Sequence, residues 1–275
     1  MELILGSANF IKPYSLKNKT KVDPIKILVE AQESKIRIID TAVNYGDIHD
    51  LVFTNKFNFD IHSKIDSKDL SEKALKDSTK LIPKGYFDVL YIHDSESIKK
   101  DGTSLDPILK YKDIFYKKLG ISLYELDIFF MALEKAEIEY IQIPINIFNM
   151  SFDQEMISIA KRRGKKIIVR SVFAKGLLTN KWRSIAGYEM KNSIKLLRLE
   201  EIARKHSVKI SDLALIWIMG IHDISGIVLG FEDEYELRGA KEILNEDFSN
   251  YKSIFEEIQD IKINTFIDTR KLYSI

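Results

Sequence analysis

Along this chain, short apolar runs alternate with longer stretches in which apolar residues recur every three or four positions. The runs are ELILGSA (2–8), IRIIDTA (36–42), FDIHSKI (59–65), FDVLYIHD (87–94), KKLGIS (117–122), YIQIPIN (140–146), KIIVRSV (166–172) and SGIVLG (225–230). They are rich in β-branched residues, as strands are. Their nearly continuous hydrophobicity suits strands buried on both faces. Between them, residues 23–35, 70–81, 125–137, 154–165, 194–206 and 210–219 carry helical spacing. In the first of these, Ile25, Ile27, Leu28 and Ala31 fall mostly on one side. Gly164 is placed to end one helix, and Ser211 or Asp212 to cap another.

Strand and helix candidates alternate at the scale of a βα unit. The pattern predicts an α/β protein, a single (β/α)8 TIM barrel over residues 1–275. A doubly wound sheet is the alternative, but its first strand would lead into a glycine-rich turn. The segment LGSANF has one glycine. No proline- or glycine-rich linker divides the chain. The longest irregular stretch, about residues 176–192, follows the seventh strand, where long loops often cover a site.

Composition narrows the function. Lys and Arg total 42 and Asp and Glu 41, so no charge imbalance points to nucleic acid or a membrane surface as partner. The basic run KRRGKK (161–166) reads as a solvated helix end. The chain has no cysteine, which excludes disulfides, thiol catalysis and zinc–cysteine sites. His49, His62, His206 and His222 form neither HxH nor HExxH, so no metal site is expected. The start, MELILGSANF, lacks the length and basic residues of a signal peptide. No apolar run approaches the ~18 residues of a membrane span. A cytoplasmic protein is expected, with its oligomeric state left open.

Candidate chemistry lies where strands end, because barrel enzymes work at that face. The second strand ends at Asp40, with Tyr45 in the loop after it; the third ends at Lys64 and the fourth at His93. A tyrosine hydroxyl near pKa ~10 is a poor acid at neutral pH. A lysine ammonium beside it favours the phenolate and lowers that value. Asp40 would anchor Lys64, and His93 could hydrogen-bond a carbonyl oxygen. Such a set protonates an oxygen as hydride reaches its carbon. Taken singly, Asp40 could cap a turn, Tyr45 could pack, Lys64 could be a solvated charge and His93 a core histidine. Their coincidence at three successive strand ends argues for a joint role.

These residues give the chain its resemblance to the aldo-keto reductase superfamily, over nearly its whole length. Asp40, Tyr45, Lys64 and His93 match the order and spacing of that family's catalytic tetrad. KKLGIS is similar to its strand-five motif through Ser122, and IQIPIN to its strand-six motif through Gln142 and Asn146. RSVFAKGLL and VLGFEDEYEL are similar to the cofactor loops after strands seven and eight. LGSANF, IPINIFN and RSVFAKGLL further resemble a bacterial subgroup associated with surface-polysaccharide genes. The resemblance implies a tyrosine proton donor and direct hydride transfer from NADPH or NADH, bound without a Rossmann domain. It assigns cofactor contacts to Ser122, Gln142, Arg170, Ser171, Gly176, Leu177, Gly230 and Glu236.

The chain departs from the family in places. Leu123 stands where an asparagine often holds the nicotinamide amide, and Arg170 where an aromatic often stacks on the ring. The pattern after Tyr45 reads Gly46-Asp47-Ile48-His49. The strand-eight loop reads Glu232-Asp233-Glu234, with Arg238 nearby, and is more repulsive than attractive to the 2′-phosphate of NADP. IKPYSLKN, in the first loop, lacks the subgroup's usual glycine.

The expected activity is NAD(P)H-dependent reduction of an aldehyde or ketone. The rival is a non-catalytic nucleotide-binding barrel acting as a sensor or partner-binding protein. A metal- or Schiff-base-dependent isomerase or aldolase would leave Asp40 and Tyr45 unexplained. Asn44, Asp47, His49, Asp94, Asn146 and Arg170 are expected to make the mouth polar, which suits a keto sugar or nucleotide-linked sugar. Phe173 and Trp182 are candidates to stack on a sugar face or on nicotinamide.

Overall fold

The computed structural model describes residues 1–10, 22–45, 48–93, 105–184 and 190–261. Eight parallel strands follow one another around a closed barrel: β1 (Glu2–Gly6), β2 (Ile38–Asp40), β3 (Asp60–Ile65), β4 (Phe87–Ile92), β5 (Tyr116–Ser122), β6 (Ile138–Pro144), β7 (Lys166–Arg170) and β8 (Gly226–Leu229). The circle closes through β1 and β8, where Ile4 pairs with Val228. Each predicted run coincides with a strand. β5 and β6 begin earlier than predicted, and most runs outlast their strands because their last residues leave the sheet to form the barrel mouth.

The six predicted helices are present as α1 (Pro24–Glu33), α3 (Glu72–Thr79), α5 (Leu126–Glu134), α6 (Gln154–Arg162), α7 (Met190–Lys205) and α8 (Ile210–Met219). Four more had not been predicted: α2 (Ile48–Thr54), α4 (Asp106–Leu109), α9 (Glu234–Asn245) and α10 (Lys252–Asp260). Caps fix the starts. Asp23, Ser71, Asp153 and Asp233 accept backbone N–H groups at the heads of α1, α3, α6 and α9. Asp212 acts from inside α8, accepting the Lys209 N–H at 2.8 Å. Gly164, at φ +75°, turns the chain out of α6 as expected. Among the described residues, no helix is long and apolar enough to cross a membrane.

Strand alternation sorts the side chains into two environments. Leu5, Ile39, Ile61, Leu90, Ile121, Ile141, Val169 and Leu229 point outward and are buried beneath the helices with Leu28, Leu75, Phe129, Ile157 and Leu215. Each fully buried aliphatic side chain of this layer contributes about 1.5–3 kcal/mol. The alternate positions point into the barrel. Asp60, His62 and Lys64 share one face of β3, and the register carries that face to Val89 and Tyr91 of β4 and Gly120 of β5. Gly120 is required there: a Cβ would lie 2.5 Å from the buried Tyr91 ring. The interior floor is therefore a ring cluster. His62 Nδ1 and Tyr91 Oη are 3.2 Å apart, and Tyr140 meets the His62 ring edge-on.

Candidate active site

At the C-terminal ends of the strands the inward row changes character. Continuing the alternation upward gives Gly6, Asp40, Lys64, His93, Ser122, Gln142, Arg170 and Gly230, every one polar, charged or glycine. Six of these polar groups form a ring around the mouth from β2 to β7, and the β8–β1 side carries the two glycines, which pack closely against Val228 and Asn9.

The groups are linked. Lys64 Nζ pairs with Asp40 Oδ1 and donates to the Thr41 carbonyl at 3.1 Å. Gln142 Nε2 donates to the other Asp40 oxygen, Oδ2, at 2.8 Å. Ser122 Oγ donates to Gln142 Oε1 at 3.2 Å and accepts from Arg170 Nε at 3.3 Å. The Arg170 guanidinium stacks 4.1 Å over the Tyr124 ring and donates to the Leu123 carbonyl. The tyrosine joins this set through the cation: Lys64 Nζ lies 5.8 Å from the centre of the Tyr45 ring. His93 follows β4 directly, its N–H bonded to the Ile65 carbonyl at 3.0 Å, and its Nδ1 is 3.3 Å from Asp66 Oδ1. The structure thus brings Asp40, Tyr45, Lys64, His93, Ser122, Gln142 and Arg170 to one end of the barrel.

Burial and charge set the protonation tendencies. Lys64 is 3% exposed. Burial is the largest influence and pushes its ammonium down; Asp40 opposes this, and Arg170 adds to the lowering. His93 is also held below the ordinary histidine value, first by burial and then by the Lys64 charge, with Asp66 and Asp40 pulling the other way. Below them, burial lowers His62 to about 4.

The remaining candidates lie in the loops after β7 and β8. Ser171, Ala174, Lys175 and Gly176 all have positive φ, so the chain leaves β7 in a tight coil. Within it the Gly176 and Leu177 N–H groups bond to the Phe173 and Ala174 carbonyls. Leu177 is fully buried and supports the coil from beneath. Ser171 is bound on both sides, its carbonyl by Asn146 Nδ2 at 3.0 Å and its hydroxyl by Arg170 at 3.4 Å. Gly230 packs against Asn9, whose Oδ1 would lie 3.1 Å from an added Cβ. Glu236 accepts the Glu232 N–H at 2.9 Å, and both carboxylates bind Lys181 of the β7 loop at 3.0 and 2.7 Å. Partial burial alone would lower the Lys181 ammonium, but the two carboxylates raise it above its ordinary value.

Several expected mouth groups are used otherwise. His49 is buried, its ring 5.7 Å from Phe87 at the opposite end of β4 from His93, because the helical turn of α2 carries it inward and down. Asn146 is buried and holds a turn, accepting the Phe148 N–H at 2.9 Å. Trp182 is buried, with its Nε1 bonded to Glu200 at 3.0 Å and its ring covered by Arg183, so it is not presented for stacking. Phe173 is half-buried and Asn44 exposed. Asp47, Asp94, the IKPYSLKN segment and the tail from Lys262 lie outside the described residues. The reading of the sequence missed Asp66 and Tyr124. Asp66, two residues beyond Lys64, and Tyr124, two residues beyond Ser122, belong to no motif, and only the fold sets them against His93 and Arg170.

The chain matches the family model described as aldo/keto reductase family over residues 2–262. A search of curated proteins found no match. Among solved structures, it is similar to the holo form of aldo-keto reductase AKR11C1 from Bacillus halodurans, with TM-score 0.76 and 17% identity, covering 98% of this chain and 95% of that one. It is also similar to the glycerol dehydrogenase AKR11B4 from Gluconobacter oxydans, with TM-score 0.71 and 18% identity, covering 97% and 94%. At these identities the structural likeness speaks for the fold.

Proposed function

Because the chain belongs to the aldo/keto reductase family and is an oxidoreductase of that type, we propose that it reduces an aldehyde or ketone with NADH or NADPH, using Asp40, Tyr45, Lys64 and His93. The observation that carries this reading is the buried Lys64–Asp40 pair with the Tyr45 ring beside its ammonium. Asp40, bound on both oxygens, keeps an amine charged at a site where burial favours the neutral form. That charge favours the phenolate left when Tyr45 gives its proton to the substrate oxygen. His93 orients the substrate from the neighbouring strand end.

The donor set suits a nicotinamide dinucleotide. Ser122 and Gln142 offer a hydroxyl and an amide at the mouth, beside Lys64, which fits a carboxamide. Arg170, Ser171, Gly176, Leu177 and Gly230 would form the wall and floor along which the rest extends. When bound, the dinucleotide supplies the hydride. Glu232 and Glu236 suit ribose hydroxyls better than a phosphate, which favours NADH. A keto sugar or nucleotide-linked sugar is the proposed substrate type, since the described mouth is lined by polar side chains.

A non-catalytic nucleotide-binding barrel is the second reading, favoured by one observation: Ser122 and Gln142 already bond to each other, to Asp40 and to Arg170. Turnover of a panel of keto sugars and hydrophobic aldehydes with each dinucleotide tests both. Oxidation of neither dinucleotide, together with measurable binding of one, would replace the first reading by the second. Higher kcat/KM for the hydrophobic aldehydes would remove the sugar assignment alone.

A further inference from the structure

Two cations stand in the polar ring of the mouth, and only one is matched. Lys64 is paired with Asp40. Arg170, the last residue of β7, spends three of its five N–H donors on neutral oxygens: Nε on Ser122 Oγ at 3.3 Å, Nη1 on Ser171 Oγ at 3.4 Å and Nη2 on the Leu123 carbonyl at 3.3 Å. Among the described residues no carboxylate pairs with it. The Tyr124 ring, 4.1 Å away, holds the guanidinium by its face. An arginine keeps its charge at every working pH. That charge reaches across the mouth: burial is the main influence lowering Lys64 and His93, and Arg170 adds to the lowering of both. Asp66, which faces His93 at 3.3 Å, follows β3, on the opposite side of the closed barrel from β7.

Arg170 also touches the pair of groups that suits a nicotinamide carboxamide. Ser122 Oγ accepts from its Nε and donates to Gln142 Oε1 at 3.2 Å. A ring whose carboxamide is held by Ser122 and Gln142 is therefore a neighbour of the guanidinium. The two oxidation states of that ring differ in charge: the reduced ring is neutral and the oxidised ring is a cation. The riboses, pyrophosphate and adenine are the same in both, so their contacts cancel when the two forms are compared. A fixed cation beside the ring acts on one form only, and selection between two ligands follows from such a repulsive element as readily as from an attractive one.

We infer that Arg170 discriminates between the oxidation states of the dinucleotide, repelling the oxidised form so that the site retains the reduced one. The inference rests on the dinucleotide reading given above. Transfer of hydride to the carbonyl carbon, with the Tyr45 proton going to the oxygen, leaves the nicotinamide ring positive. The form so produced is the one the site holds less well. Arg170 thus promotes release of the spent dinucleotide and leaves the overall equilibrium of the reaction untouched.

Isothermal titration of the full chain with NADH, NAD⁺, NADPH and NADP⁺, in the absence of a carbonyl compound, reads Kd without turnover. In the pair that binds, the native protein is expected to hold the reduced form tighter by about tenfold or more. Arg170→Gln keeps hydrogen-bonding reach and loses the charge; it should bring the two forms to within about twofold, chiefly by tightening the oxidised one. Arg170→Lys keeps the charge and loses the planar fork, so it should retain most of the gap. A merely structural role would weaken both forms alike and leave their ratio unmoved. Equal affinity for the two forms in the native protein overturns the inference whatever the variants do. So does a gap that survives in Arg170→Gln, or one lost as fully in Arg170→Lys as in Arg170→Gln. These results leave the dinucleotide reading standing, whereas binding of none of the dinucleotides overturns that reading and the discrimination with it.

Discussion

Gln142 Nε2 and Asp40 Oδ2 lie 2.8 Å apart, joined across the barrel mouth although 102 residues separate them in the chain. With Lys64 on the other oxygen, both sides of the Asp40 carboxylate are bound. Gln142→Glu would replace the donor with an acceptor. Two carboxylates at this distance cannot both ionise, so one holds its proton in the folded state at a raised pKa. A raised folded-state pKa gives stability that is lost as pH rises through it. The expected result is a urea midpoint gap between Gln142→Glu and the native protein that is small at pH 5 and widens by pH 8. A gap independent of pH would mean that Gln142 does not face the carboxylate.

Tyr45→Phe removes the proposed proton and should lower turnover by about 10²-fold or more. Dinucleotide binding, followed by nicotinamide fluorescence, is expected to change little, because the hydroxyl acts on the substrate. Unchanged turnover would remove Tyr45 from the mechanism.

His62 links the barrel floor to acid stability. Its folded value is about 4 against an ordinary 6.5, because burial disfavours the charged ring. Between those values the unfolded chain binds a proton that the folded chain does not, so stability falls as pH falls from about 6.5 to about 4. The loss amounts to about 3 kcal/mol by pH 4. His62→Gln does not titrate, and its unfolding free energy should decline less over that interval. Parallel curves for the two proteins would show that His62 takes up its proton without penalty.

The acidic β8 loop bears on dinucleotide choice. If it meets the adenosine ribose, as the family resemblance implies, Glu232→Arg exchanges a repelling charge for one that pairs with phosphate. Lys181 keeps its second partner, Glu236, at 3.0 Å. The Kd ratio should shift towards NADPH by about tenfold. An unaltered ratio would place the ribose elsewhere.

The barrel was legible because its strands are buried on both faces and read as apolar runs in every one of the eight units. Helices α2 and α4 were not, since seven and four residues give the period too little room to repeat. α9 and α10 follow the eighth strand, beyond the alternation that was read, although Leu237 and Ala240 in one and Ile254 and Ile258 in the other recur at helical spacing and are buried. The positions of Asp40, Lys64 and His93 at strand ends were likewise legible from the barrel rule, whereas Ser122, Gln142 and Arg170 were reached through the family resemblance. What joins them was not. Gln142 reaching Asp40, Arg170 settling on Tyr124 and Asp66 turning to His93 depend on register and rotamer, which a linear pattern does not encode. His49 and Trp182 misled for the same reason: polar or aromatic identity says nothing of which way a helix or loop turns the side chain.

Strand β3 carries Asp60, His62 and Lys64 on its inner face and Ile61, Ser63 and Ile65 on its outer face. A slip of one residue against β2 or β4 would exchange the two sets. Lys64 would then enter the apolar layer under the helices without Asp40, and an unpaired charge there is costly enough to dissolve the pairing. Ile61 and Ile65 would meanwhile face the polar mouth. The Lys64 charge therefore also guards the register, disfavouring the misaligned chain before the barrel can close around it. Replacing Lys64 by an uncharged residue would leave a strand that tolerates the wrong alignment, and such a barrel would be expected to refold with more trapped and aggregated species even where its native state remained stable.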